Sequence, residues 1–195
     1  SRLGVKAVQT GERVLALEWV SAARLHDVSL EVRAGEILGV AGVDGNGQRE
    51  LAEVVTGLLP FTGTVLLKGQ RFTHLSPQQA RALGVAHVPE DRLRRALISE
   101  MSVEENVALG RHAQAPFAKG ALIDAAGRRT RTEALLETHD VRPRVPALRM
   151  GNLSGGNQQK LVVGRELLGQ PAVLVAVQPT RGLDIAAVNA VRAHL

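Results

Sequence analysis

Residues 36–58, EILGVAGVDGNGQRELAEVVTGL, constrain the fold more than any other stretch of the chain. The run 36–42 is apolar nearly throughout and ends in glycine, the pattern of a strand buried on both faces. Beyond the glycines the apolar residues fall at Leu51, Val54, Val55 and Leu58, which is helical spacing, and Gly57 stands near the end of that helix. A strand that passes through a glycine-rich turn directly into a helix is the building step of an α/β fold.

The flanking sequence agrees. VLALEWV (14–20) and DVSLEVRAGE (27–36) alternate well enough for two N-terminal strands with a turn at Ala34–Gly35, and Trp19 on the first is expected to pack in the core. TGTVLLKGQ (62–70) predicts a further strand, and VAHV (85–88) another. Between them SPQQARALG (76–84) predicts a helix with Ser76 as N-cap, Pro77 at the first helical position and Gly84 past the end. Residues 94–150 hold no convincing strand. SVEENVALG there has Ser102 and Glu105 in capping-box relation, and 122–139 is an amphipathic helical stretch, so 94–150 reads as a helical insertion. The α/β pattern returns as a helix over 154–170 and a strand at 172–177. From Ala186 a helix is expected that still runs at Leu195; the strand expected after it does not follow, so the sequence reads as a piece of a longer polypeptide.

Composition narrows the function classes. A chain of 195 residues suits one domain with a small insertion, and 45% hydrophobic with 22% charged residues is ordinary for a globular chain. No cysteine is present, which excludes disulfide and thiolate chemistry. No apolar run approaches the ~18 residues that cross a bilayer, and the N-terminus lacks a signal-peptide core, so the chain itself is expected to be cytosolic. The net charge of +5 invites an anionic partner, with local clusters at EDRLRR (90–95) and GRRTR (127–131). Yet the basic residues are otherwise scattered, and aromatics make up only 2% of the chain, so nucleic acid is disfavoured as a partner. The six histidines (26, 74, 87, 112, 139 and 194) show no metal-ligand spacing, and no metal site is expected.

Two motifs carry chemistry. Gly42 and Gly47 satisfy G-x-x-x-x-G between a predicted strand and helix, where glycines let backbone N–H groups surround phosphate oxygens and the helix start adds partial positive charge. Taken alone this spacing suits a nucleotide site or a tight strand-to-helix turn equally. The second motif, LSGGNQQ (153–159), places a capping serine and two glycines at a helix start, another arrangement that receives anions; its plain alternative is a capped helix after a loop. A hydrophobic strand opening at Val173 then runs into VQPTRGLD (177–184).

Together these segments resemble the ATP-binding cassette (ABC) ATPase domain. The glycine loop stands as Walker A, LSGGNQQK as the signature, VLVAVQPT as the Walker B strand and GLD as the D-loop, over about residues 14–195. The forms GVAGVDGNGQREL, VPEDRLRR, LSGGNQQK and QPTRGLD are similar in particular to the second, C-terminal cassette of double-cassette importers for simple sugars and nucleosides. The resemblance implies a single ABC ATPase domain over 1–195. Its fold is an α/β P-loop NTPase core, a mixed sheet with flanking helices and an antiparallel β edge, carrying the helical subdomain at 94–150. It also implies a peripheral position on the cytoplasmic face of the membrane. The partners implied are a first cassette on the same polypeptide, permease subunits and, indirectly, an extracytoplasmic substrate-binding protein. EDRLRR resembles the surface that couples to the transmembrane subunits; a solvated charged loop is the alternative.

Against the family pattern the departures fall on separate roles. The nucleotide-binding stretch is Gly42, Val43, Asp44, Gly45, Asn46, Gly47, Gln48, Arg49 and Glu50. Gln48 stands for the phosphate-binding lysine, whose charge-assisted bonds are worth about 1.5–3 kcal/mol each. Arg49 stands for the Mg²⁺-binding hydroxyl and would repel a metal. Val177 and Gln178 replace the Asp-Glu pair that holds the metal's water and acts as general base. Glu90 takes the Q-loop glutamine position, and no adenine-stacking aromatic is evident in SAARLHD (21–27). No catalytic set is intact, and ATP binding at this site is expected to be weak or independent of Mg²⁺. Leu153, Ser154, Gly155, Gly156, Asn157 and Gln158, with the D-loop residues Gly182, Leu183 and Asp184, are expected instead to complete the partner cassette's Mg²⁺-ATP site. The alternative from another class is a regulatory ABC protein outside transport that binds nucleotide or protein without hydrolysis.

Overall fold

The computed structural model describes residues 11–183 together with 188 and 189. The helix expected from Ala186 lies largely outside the described residues. The chain divides into two units, one built on the residues up to His87 with Gln170–Val175, the other on Val88–Gly169 with the residues from Ala176 onward.

The first unit is organised by β1 (Arg13–Ala22), which pairs antiparallel with both β2 (Leu25–Arg33) and β3 (Thr62–Leu67); β4 (Gln70–Phe72) extends the sheet beyond β3. The antiparallel pairing of β1 with β2 is the edge expected of the N-terminal strands; β3 and the unforeseen β4 extend it to the order β2-β1-β3-β4. Leu15, Leu17, Val20, Val65 and Leu67 form its buried face, against Val54 and Val55 of α1 (Gln48–Val55) and Ala80 of α2 (Pro77–Ala82). Each such side chain removed from water contributes roughly 1.5–3 kcal/mol. Ser76 caps α2 and Pro77 opens it as predicted, with Ser76 Oγ accepting from the Gln79 amide; beyond that expectation, the Gln79 side chain accepts in return from the Ser76 amide.

Two expectations fail here. Trp19 is 72% exposed, not in the core. The register of β1 slips between Leu17 and Val20, Trp19 takes a left-handed φ of 53°, and this bulge turns the indole outward while Val20 returns to the buried face. The second failure is the run 36–42, which forms no strand: Ile37 is 87% and Val40 55% exposed. A strand exists only beside a partner, and no described residue pairs with this run, so its apolar side chains have nothing to pack against. A separate pair joins β5 (Val85–Val88) to β8 (Val173–Ala176), with the Val173 amide donating to the Gly84 carbonyl.

The second unit is mostly helical: α3 (Arg92–Arg95), α4 (Val103–Ala108), α5 (Ala125–Thr138) and α6 (Gly155–Leu167). α6 is its hub, in contact with α3, α4 and α5, and Leu161, Val162 and Val163 are fully buried. Gly164 lets the ring of His139, at the end of α5, lie against α6; a Cβ there would stand 2.6 Å from the His139 Cδ2. Sequence reading missed α3 and the short hairpin made by β6 (Ala118–Lys119) and β7 (Leu122–Ile123); the stretch 94–150 thus does hold a strand pair, and the helix expected from 122 starts only at Ala125. Asp124 caps it through the Gly127 amide, a bond that with Lys119 holds the Asp124 carboxyl below its ordinary range.

At α4 the capping box is complete, since Ser102 accepts from the Glu105 amide and Glu105 accepts from the Ser102 amide and hydroxyl. These bonds to Ser102 hold the Glu105 carboxyl below its ordinary value of 4.5. Its stabilising contribution is therefore complete above that value and is lost as pH falls through the lower folded-state value. Urea unfolding should show Ser102→Ala less stable by about 1 kcal/mol at neutral pH, and Glu105→Gln should remove that part of the acid sensitivity.

Candidate functional site

In the first unit the glycine loop ends at α1. Gly45 and Gly47 hold left-handed φ values of 85° and 99°, and Gly47 is the N-cap of α1 with no side-chain hydrogen bond to the helix start. The other described α-helices are all capped by a side chain: Ser76, Asp91, Ser102, Asp124 and Ser154. The first amides of α1 are thus left for another acceptor. Val43, Asp44, Gly45 and Asn46 are exposed.

The side chains that follow are engaged within the protein. Gln48 folds back over the loop, donating from Nε2 to the Val43 carbonyl at 3.0 Å and crowding the space where a Cβ on Gly42 would stand. Arg49 Nε bonds Glu53 Oε1 at 2.9 Å along the helix, and Glu50 lies in the first turn. The paired guanidinium of Arg49 carries no oxygen ligand and repels a divalent cation, and the neutral Gln48 amide offers at most one uncharged oxygen, so these two side chains are a poor fit for Mg²⁺. A residue that sequence reading passed over, Arg24 in the β1–β2 turn, reaches the loop and donates from Nη1 to the Gly45 carbonyl at 2.6 Å. No periodicity reveals such a contact, because 21 residues separate the partners.

The stretch expected to be the signature, 153–158, lies in the second unit at the start of α6. Leu153 is buried, and Ser154 is the exposed N-cap. Its Oγ accepts from both the amide and the Nδ2 of Asn157, at 3.4 and 2.9 Å. Two accepted bonds fill its lone pairs and leave its own O–H to donate outward. Helix geometry leaves the amides of Gly155 and Gly156 without an intrahelical acceptor. Asn157 is itself held, accepting from the Arg142 amide at 2.9 Å, and Gln158 is buried.

Also in the second unit, Val177 is half-buried and its amide donates to the Val88 carbonyl at 2.9 Å. Gln178 is exposed with a left-handed φ of 45°, a conformation that glutamine rarely adopts. Its carbonyl accepts from the Arg181 amide, and the Arg181 guanidinium approaches Glu90 at 3.8 Å. Glu90 is therefore charge-paired with the TRGLD segment. Gly182, at φ 69°, and Leu183 follow Arg181, while Asp184 lies outside the described residues.

The family described as ABC transporter matches residues 25–181. The chain belongs to that family. Among curated ABC relatives it is 38% identical to the guanosine import ATP-binding protein NupO of Bacillus subtilis, over 97% of this chain and 39% of that protein. It is 41% identical to the nucleoside import ATP-binding protein NupA of Lactococcus lactis, over 88% of this chain and 34% of that protein. With the glucose import ATP-binding protein TsgD13 of Haloferax volcanii it shares 42% identity, over 95% of this chain and 35% of that protein. The chain thus spans little more than a third of these relatives' lengths. In fold it resembles a nucleotide-free ATP-binding cassette from an ABC transporter, with a TM-score of 0.77 and 24% identity over 94% of this chain and 76% of that one. The ABC cassette MJ0796 bound to ADP and Pi superposes at a TM-score of 0.75 with 22% identity, over 92% of this chain and 80% of that one. The α/β architecture expected of an ABC-type P-loop NTPase is therefore the architecture found, and ATP and Mg²⁺ are the ligands general to this family.

The loop's backbone makes a direct test possible. At Gly47 a Cβ would meet Leu25 Cδ2 at 2.9 Å in addition to the left-handed φ, whereas at Gly39 nothing lies within 4 Å. Gly47→Ala should cost about 1–3 kcal/mol in urea unfolding, and Gly39→Ala should stay within about 0.5 kcal/mol of the parent.

Proposed function

We propose that this chain is the second nucleotide-binding domain of the ATP-binding subunit of an importer for simple sugars or nucleosides. Its own Walker A and B positions are degenerate, and it supplies its signature to the ATP site of a partner cassette. The observation that carries this reading is the contrast between the two helix starts. At α6 the Ser154 hydroxyl and the amides of Gly155 and Gly156 remain able to donate to an incoming oxygen, with Asn157 and Gln158 held behind them. At α1 the side chains at the lysine and hydroxyl positions are bound to Val43 and Glu53.

In this reading Gln48, Arg49, Val177 and Gln178 lack the phosphate charge, metal ligand and general base, and Glu90 replaces a neutral γ-phosphate sensor with a charged group. Any one of these losses costs orders of magnitude in hydrolysis. The loop amides from Gly42 to Glu50 still allow a weak or Mg²⁺-independent ATP site. Gly182, Leu183 and Asp184 serve the partner's Mg²⁺-ATP site as its D-loop. The curated relatives named for guanosine, nucleoside and glucose import support the substrate class.

The partners that follow are a first cassette on the same polypeptide, permease subunits and an extracytoplasmic substrate-binding protein. The place is the cytoplasmic face of the membrane, held peripherally; no helix among the described residues is long and apolar enough to cross it. As to domains, 1–195 is one cassette carrying a helical subdomain at 94–150.

Ser154→Arg in the full-length subunit, assembled with its permease, should lower ATP hydrolysis by at least about tenfold, because a long cation replaces a donor aimed at transition-state charge. A normal rate in Ser154→Arg would overturn the reading.

A further inference from the structure

Two arginines of the EDRLRR cluster, Arg92 and Arg94, have different surroundings. Arg94 is tied to Asp91 and points into solvent. Arg92, half-buried at the start of α3, turns the other way, toward the signature. Its Nε donates to Gln158 Oε1 at 3.3 Å, across 66 residues of sequence. Gln158 in turn donates from Nε2 to the Met150 carbonyl at 3.3 Å, so both ends of its buried amide are held. The Arg92 Nη2 also lies 2.5 Å from where a Cβ on Gly155 would stand, so only glycine fits beneath the guanidinium without displacing it.

This placement runs against simple electrostatics. A helix N-terminus carries partial positive charge and repels a cation. Arg92 nevertheless stands there and joins no ion pair among the described residues. Beyond the Gln158 Oε1 that it meets, an anion at the same helix start would complement its charge.

We propose that Arg92 is the positioning residue of the signature. It fixes Gln158, and through it the first turn of α6, while its planar guanidinium covers Gly155 and keeps the neighbouring amides and the Ser154 hydroxyl in place to receive phosphate. This proposal rests on the reading that the signature serves a partner's ATP site. A lysine cannot do the same work, because a single ammonium cannot reach Gln158 and cover Gly155 at once.

The test uses the full-length subunit assembled with its permease, with ATP hydrolysis measured against ATP concentration. Arg92→Ala is expected to raise KM for ATP about tenfold, the scale of one charge-assisted hydrogen bond, with the melting temperature nearly unchanged; Arg92→Lys is expected to keep most of that defect. A fall in kcat and melting temperature with KM unchanged would mean that Arg92 only supports the fold, and the proposal fails. Full recovery by Arg92→Lys would show that charge alone matters, and the proposal also fails. Ser154→Arg run in parallel separates the two levels. If it abolishes turnover while Arg92→Ala leaves KM unmoved, only the role of Arg92 falls; if it has no effect, the signature reading falls and takes this proposal with it.

Discussion

A helix leaves its first amides without partners, and the local structure at the candidate site follows from how each helix start answers that demand. Five described α-helices answer it with a side chain one residue ahead, from Ser76 to Ser154. The start of α1 has no such cap, because Gly47 brings the backbone in at φ 99° and contributes no side-chain oxygen. The start of α6 is capped by a side chain on one amide only, and helix geometry gives the amides of Gly155 and Gly156 no intrahelical acceptor. An unmet amide in a folded protein is a place for water, an anion or another chain.

What separates the two starts is the fate of the neighbouring side chains. Around α1 they close inward: Gln48 on Val43, Arg49 on Glu53 and Arg24 on Gly45. Around α6 they support an open face, with Arg142 on Asn157, Arg92 on Gln158, and Asn157 on the Ser154 hydroxyl. The burial of Leu161, Val162 and Val163 anchors α6 within its own unit and holds that face still. The same glycine chemistry therefore yields a self-bonded loop in one place and a braced helix start with two unpaired amides in the other.

Much of this was legible in the chain. Ser76 with Pro77, Ser102 with Glu105, and Ser154 ahead of its glycines are local signals, since a cap and its amides lie within three residues. The alternation of 14–20 and 27–36 predicted β1 and β2 because one face of an antiparallel pair must be apolar. Alternation fails where the backbone slips: one bulge residue in β1 reversed the expectation for Trp19. It fails also where an apolar run needs a partner to become a strand, as at 36–42, and where a two-residue hairpin at 118–123 is too short to show a period.

The residue types at the motifs were determined by sequence alone: Gln48, Arg49, Val177 and Gln178 where the family resemblance leads one to expect a lysine, a hydroxyl and two carboxylates, and Ser154, Gly155 and Gly156 ahead of α6. These identities do not depend on packing. Tertiary structure decided which groups those residues meet. Arg24 reaching Gly45, Arg181 reaching Glu90 and Arg92 covering Gly155 join residues 21 to 91 positions apart, and arginine's long side chain takes its partner from whatever the fold brings near.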